Sequence, residues 1–201
     1  MEAVKNRDRM AVRSLIEQRA NVNAAQPDGT TALAWAANRD DLETTDLLIR
    51  AGAKVNLANE YGVTPLSLAC TNRNAAMVER LLNAGADPTA ALWTGETPVM
   101  VCARTGNAET VKLLLLHRAD PNAKETQQGQ TALMRAVAQK HPEVVRALID
   151  GGADVRARSK GGFMALHFAG QQGEIASARM LLAAGADVNE KTPMNGATNR
   201  L

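Results

Sequence analysis

The side chains that could perform metal or acyl-transfer chemistry are few and scattered along this chain of 201 residues. Three histidines, His117, His141 and His167, form no i, i+4 pair and have no cysteine beside them. A zinc site needs several such ligands to converge, so no metal site is predicted. None of the four serines lies in a G-x-S-x-G motif, and the glycines of SKGGF, residues 159–163, indicate a turn rather than a phosphate loop. The sequence therefore predicts no catalytic residue, no cofactor and no enzyme.

Two cysteines remain, Cys70 and Cys102, both in Ala-rich surroundings that are typical of helices. Free cysteine often behaves as a small buried hydrophobe, so we expect two core thiols. A redox or metal-binding role is the alternative.

Composition restricts the classes of partner and compartment. Hydrophobic residues make up 45% and aromatic residues only 2%, so a core must be built from Ala, Leu, Val and Met. A net charge of +2 gives no strong field, and we expect neither a nucleic-acid nor a membrane partner. No apolar run reaches the roughly 18 residues that span a bilayer, and the charged N-terminus does not match a signal peptide. A soluble chain is expected: cytoplasmic by default, periplasmic or secreted if a leader was removed.

An internal repeat organises the chain. The phrases TALAWAA, TPLSLAC, TPVMVCA, TALMRAV and MALHFAG begin at Thr31, Thr64, Thr97, Thr131 and Met164, at steps of 33, 33, 34 and 33 residues. A second series, which includes RAGAKVN, NAGADPT and AGADVN, keeps the same period. Two phrases in one register indicate stacked supersecondary units.

Each phrase has a local structural meaning. A threonine hydroxyl can cap a helix, and proline is tolerated at the first helical position, so each Thr predicts the start of a first helix. Segments such as LETTDLLIRAG place apolar residues three and four apart and end at Gly52, Gly85, Gly152 or Gly185, which predicts a second helix with a left-handed end. The roughly eleven polar residues that follow suit an extended finger with a turn.

These motifs, T-P-L-x-L-A and A-G-A-D-x-N, resemble those of ankyrin repeat proteins over nearly the whole chain, and the phrases look most like those of bacterial members. The resemblance implies an all-α solenoid of antiparallel helix pairs with projecting β-turn fingers. It also implies a noncatalytic module that binds a partner protein on its concave face and finger tips. We expect a monomer.

The repeat period predicts the boundaries within one domain of residues 1–201. A partial N-terminal repeat, residues 1–25, is followed by full repeats at 26–58, 59–91, 92–125, 126–158 and 159–191, and by the start of a truncated sixth at 192–201. The abrupt end leaves open a positioning or targeting segment of a larger multidomain protein. An engineered binding scaffold is the third alternative.

Several positions depart from the repeat. The fourth finger has one extra residue, Arg118 replaces the helix-ending glycine, and Met164 replaces the capping threonine. Arg135 takes a place held elsewhere by Trp, Leu, Val and Phe, on the inner side of a first helix. We expect its stem to lie along the core and its head to reach solvent or a carboxylate, and we expect replacement by leucine to raise the melting temperature.

The family's contact surface, transferred to this sequence, comprises the finger tips and the exposed ends of the first helices. Three of the five aromatic residues fall in this set, and aromatic and arginine side chains dominate interface energetics. Each ring could instead fold over a neighbouring finger. The residues predicted to bind the partner are Arg39, Glu60, Tyr61, Trp93, Glu96, Arg104, Gln128, Lys160 and Phe163.

Overall fold

The computed structural model describes residues 1–189 and 191. Within these residues it contains twelve helices: α1 Glu2–Lys5, α2 Arg9–Glu17, α3 Ala32–Asn38, α4 Leu42–Arg50, α5 Pro65–Thr71, α6 Ala75–Asn83, α7 Pro98–Thr105, α8 Ala108–Leu116, α9 Ala132–Ala138, α10 Pro142–Asp150, α11 Ala165–Gln172 and α12 Ile175–Ala183. The expected start of a sixth repeat, residues 192–201, lies outside the described part.

The helices form two layers. The first helices α3, α5, α7, α9 and α11 pack one on the next, and each packs on its own second helix. The second helices from α6 to α12 stack in the same way. The predicted all-α solenoid of helix pairs is confirmed. The repeat boundaries within it stay a prediction.

The core follows the 33-residue period in both layers. Leu33, Leu66, Val99 and Leu133 occupy the T-x-L position of the first helices and are buried. The second helices contribute the matching buried series Leu48, Leu81, Leu114, Leu148 and Leu181. Because each apolar face is covered by the next unit, stability comes from stacking rather than from any single helix pair.

Capping of the first helices is confirmed at three of the four threonines. The hydroxyls of Thr31, Thr64 and Thr131 accept hydrogen bonds from backbone N–H groups three residues on, at 3.2, 3.2 and 3.4 Å. The expectation is wrong at Thr97, whose buried hydroxyl makes no hydrogen bond, because the Met100 N–H bonds the Thr97 carbonyl instead at 3.0 Å. Met164 has no hydroxyl, and there the His167 Nδ1 accepts from the Met164 N–H at 3.0 Å.

The ends of the second helices are left-handed as predicted. Gly52, Gly85, Gly152 and Gly185 have φ between 86° and 94°. Arg118 adopts φ 69° at the equivalent place, where a side chain costs about 1 kcal/mol relative to glycine.

Candidate interaction surface

Five finger turns have a common geometry. The N–H of the first residue donates to the carbonyl of the last in Gln26–Thr30, Asn59–Val63, Leu92–Glu96 and Ser159–Phe163, at 2.9 to 3.1 Å. The fourth turn, Glu125–Gln130, closes in the same way at 3.1 Å but holds one more residue. The extra residue that makes the 34-residue step is therefore accommodated within a turn.

Hydrogen bonds join successive finger tips. Backbone N–H groups of Glu60, Trp93, Thr126 and Lys160 donate to carbonyls on the preceding finger, at 3.0, 3.1, 2.9 and 2.8 Å. The acceptors are the carbonyls of Asp28, Tyr61, Thr94 and Gln128. We call this chain of five linked tips the fingertip row.

Close packing within the row restricts residue type. Gly62 has φ 77°, and a Cβ there would lie 3.0 Å from the Ala91 carbonyl oxygen and the Leu92 Cα. Both the conformation and the contact with the next finger require glycine. The row is a preorganised backbone platform, and side chains project from it.

Two of the three predicted aromatic residues project into solvent. Trp93 is 75% exposed and Tyr61 is 51% exposed, so neither ring is folded away against a neighbouring finger. Phe163, at 43%, packs against His167 and Phe168, with ring centroids 6.1 and 6.2 Å away. Solvent exposure of a large rigid ring is unfavourable in isolation and is typical of contact residues.

The first two finger tips are acidic. A hydrogen bond to the Glu60 carboxylate, together with its negative charge, raises the pKa of Tyr61, so the phenol stays protonated at neutral pH. Hydrogen bonds from the Thr30 backbone and hydroxyl hold the pKa of Asp28 below its usual range. Asp28 therefore carries negative charge at the first tip, where the charge of Lys5 also acts on it.

The remaining residues predicted to bind the partner differ in solvent exposure. Arg39, Glu60, Arg104, Gln128 and Lys160 are exposed, whereas Glu96 is half-buried. Their role in binding stays a prediction.

Glu96 is engaged by arginines of its own chain. Its Oε1 accepts from Arg135 Nη1 at 2.9 Å and lies 3.5 Å from Arg104 Nε. This confirms the expectation that the Arg135 head finds a carboxylate, while its Nε remains buried without a hydrogen bond. Glu96 therefore orients arginines on the concave face.

Glu125 is a structural residue that sequence reasoning missed. It is buried at the start of the fourth turn, where its carboxylate accepts from the N–H groups of Gln127, Gln128 and Gln130 at 2.6, 2.9 and 2.9 Å. Burial alone would raise the pKa of Glu125, but these bonds and the nearby charge of Arg135 outweigh it, so the pKa lies below its usual range. Arg135, which disrupts the repeat pattern, is thus the counter-ion of Glu96, and its charge also favours the ionised form of Glu125.

Two depressions open on the concave face. One, of about 170 Å³, lies between the first two full repeats and includes Trp35, Val63 and Leu68 in its lining. The other, of about 720 Å³, lies between the fourth and fifth fingers against Phe163 and Phe168. The Glu96–Arg135 pair joins the third finger to α9, between the linings of the two depressions in chain order.

The cysteines depart from expectation. Both are fully buried, as predicted, but they are joined as a disulfide between α5 and α7, with Cα atoms 4.8 Å apart. The prediction of two free core thiols is therefore wrong. Cys70 lies six residues after Thr64 and Cys102 five residues after Thr97, an offset of one residue, or about 100° around a helix axis. That offset is the signal in the sequence that could have identified the pair.

Two features are absent from the described residues. No group of three or more His, Cys, Asp or Glu side chains there could hold a metal ion. No helix in the same part of the chain has the length and apolarity to cross a bilayer.

The chain resembles known proteins at two levels. It is 41% identical over 68 residues to Protein PhlB of Serratia liquefaciens, an alignment that covers 34% of this chain and 30% of PhlB. The chain therefore spans less than a third of the length of that relative. A family model described as ankyrin repeats (3 copies) matches residues 1–91 and 99–192. With its helix pairs, linked fingers and 33-residue period, this chain belongs to the ankyrin repeat family.

Proposed function

We propose that this chain is a noncatalytic module that binds a partner protein along the fingertip row and the concave face. Ankyrin repeats are generally protein–protein interaction modules. The observation that carries the proposal here is the exposure of Trp93 and Tyr61 on adjacent tips whose backbones are hydrogen-bonded together at 3.1 Å.

The rigidity of the row favours binding. Ordering a flexible loop on association costs free energy, whereas a tip already fixed by its neighbours loses little. A rigid aromatic ring then contributes large contact area at small entropic cost. Arg39 and Arg104 lie exposed at the ends of first helices and would form the polar rim beside the two rings.

The test is capture of partners from a cell lysate by the immobilised chain. The double variant Tyr61→Ala/Trp93→Ala is expected to lose proteins that the wild type retains. The matched control is Leu116→Ala/Ile175→Ala, because these two apolar side chains are also exposed but lie on the second helices.

The outcome separates a specific surface from general stickiness. The control variant should capture the same proteins as the wild type. We call Tyr61→Ala/Trp93→Ala the fingertip variant. If both double variants lose the same captured proteins, or if the fingertip variant loses none, this surface has no support.

A further inference from the structure

The depression between the fourth and fifth fingers has an apolar floor and amide walls. Phe163 and Phe168 form the floor, with ring planes inclined at 50°. Gln128, Gln130 and Gln171 form the walls, and Gln130 Nε2 donates to Gln128 Oε1 at 2.7 Å. Each glutamine amide can both donate and accept, which suits the N–H and C=O groups of an extended peptide chain.

The charges around this depression are positive. Lys160 lines it, and its lining, drawn from the described residues, includes no carboxylate. Glu125, on the neighbouring finger, is buried and its carboxylate is bound by three backbone N–H groups, so it is turned away from any incoming group.

A nearby cation adds to this field. Lys124 is exposed and donates at 2.8 Å to the backbone carbonyl of Arg158, which precedes the lining residue Ser159. Lys160 likewise donates to the Thr126 carbonyl. A carbonyl satisfies a donor without cancelling its charge, so Lys160 and Lys124 present positive charge beside the depression.

We infer that this depression binds an extended segment of the partner protein in which an apolar side chain is followed by acidic residues. The apolar side chain rests on the two phenylalanine rings, and the carboxylates lie against Lys160. This inference rests on the proposed function and specifies the partner's chemistry.

The test uses NMR on the full 15N-labelled chain with three synthetic probes: acetyl-Leu-Asp-Asp-amide, acetyl-Leu-Asn-Asn-amide and acetyl-Leu-Lys-Lys-amide. The side-chain amide signals of Gln128, Gln130 and Gln171 report directly on the depression. The Asp peptide should shift these signals with a Kd about two- to fivefold below that of the Asn peptide, as expected for an exposed ion pair. The Lys peptide should bind most weakly.

Two variants sharpen the assignment. Lys160→Glu should reverse the order of the three peptides. The variant keeps the backbone bond to the Gln128 carbonyl and loses the side-chain bond to the Thr126 carbonyl. Lys54→Glu, which reverses an exposed lysine at the base of the second finger, should leave the order unchanged.

Equal affinity for the three peptides, no shift of the glutamine amides, or shifts confined to Tyr61 and Trp93 would overturn the inference. If the fingertip variant still loses captured proteins in that case, the proposed function stands and only the partner chemistry assigned to this depression fails.

Discussion

Two neighbouring junctions of the solenoid are held by different chemistry. Between α5 and α7, which we call the Cys junction, the Cys70–Cys102 disulfide joins two fully buried positions. Between α7 and α9, the Arg junction, Arg135 is paired with Glu96 at 2.9 Å and its charge acts on the buried Glu125.

The difference bears on function. The exposed pair Tyr61 and Trp93 lies on the fingers of the Cys junction, whereas the Arg junction presents glutamines at its fourth tip. The two exposed rings are therefore carried by covalently joined repeats. Disulfides persist in oxidising compartments and are reduced in the cytosol, so the rigidity of this platform depends on the redox environment.

Reduction should give the largest effect on stability. The disulfide spans 32 residues, and losing it should lower the free energy of unfolding by about 3–4 kcal/mol through loop entropy in the unfolded chain. Urea unfolding followed by circular dichroism, with and without dithiothreitol, measures this. The variant Cys70→Ala/Cys102→Ala should not respond to the reductant. If the wild-type unfolding curves with and without dithiothreitol coincide, although both thiols are shown to be free after reduction, the disulfide does not stabilise the fold.

Removing the cation from the Arg junction should give the next largest effect. The sequence alone suggested that Arg135→Leu would raise the melting temperature. The structure reverses our expectation, because leucine would remove the closer ion-pair partner of Glu96, leaving Arg104 at 3.5 Å, and would remove a positive charge that favours the ionised form of Glu125. We expect a loss of about 1–3 kcal/mol in thermal or urea unfolding.

The matched control is Arg80→Leu, which removes a more exposed pair with Asp46 on the second helices and should cost at most about 1 kcal/mol. A more stable Arg135→Leu protein would show that the arginine disturbs the repeat.

The Arg junction should also respond to acid. The pKa of Glu125 is lower in the folded chain than its value of about 4.3 in the unfolded chain. At a pH between these two pKa values, the unfolded chain therefore binds more protons than the folded chain. The stabilisation from Glu125 is complete above the unfolded value and is lost as pH falls through the folded value. Glu125→Gln should therefore cost about 1–2 kcal/mol at pH 7 and progressively less toward pH 3.

Asn59 provides the comparison at the Cys junction. Its Oδ1 accepts from the N–H groups of Tyr61 and Val63 at 3.0 and 2.9 Å, and an amide does not titrate. The cost of Asn59→Ala should stay constant from pH 7 to pH 3 when unfolding is measured at each pH. Parallel pH profiles for the two variants would show that the Glu125 charge contributes nothing.

Local features such as helix caps were predictable from the sequence, whereas side-chain contacts between successive repeats were not. The caps at Thr31 and Thr64 and the helix end at Gly52 depend on residues within one turn of chain, so their patterns predict them directly. Glu96 lies 39 residues before Arg135, and pairing them needs the orientation of side chains on two stacked units.

The same limit explains the other misses. The fourth turn has one inserted residue and therefore one more backbone N–H group. Three N–H groups of this turn donate to the buried carboxylate of Glu125. The disulfide depends on the angular offset of one residue between α5 and α7. Thr97 shows that even a local cap can be lost when a competing backbone bond forms.

The smallest expected effect on stability belongs to Trp93, and it tests the proposed function most directly. Free energies of unfolding and affinities for a captured partner should be measured on the same Trp93→Ala protein. We expect unfolding to change by less than about 0.5 kcal/mol and partner affinity to fall at least about tenfold. A variant that loses stability but keeps its affinity would show that Trp93 is a packing residue, and would contradict a binding surface centred on the fingertip row.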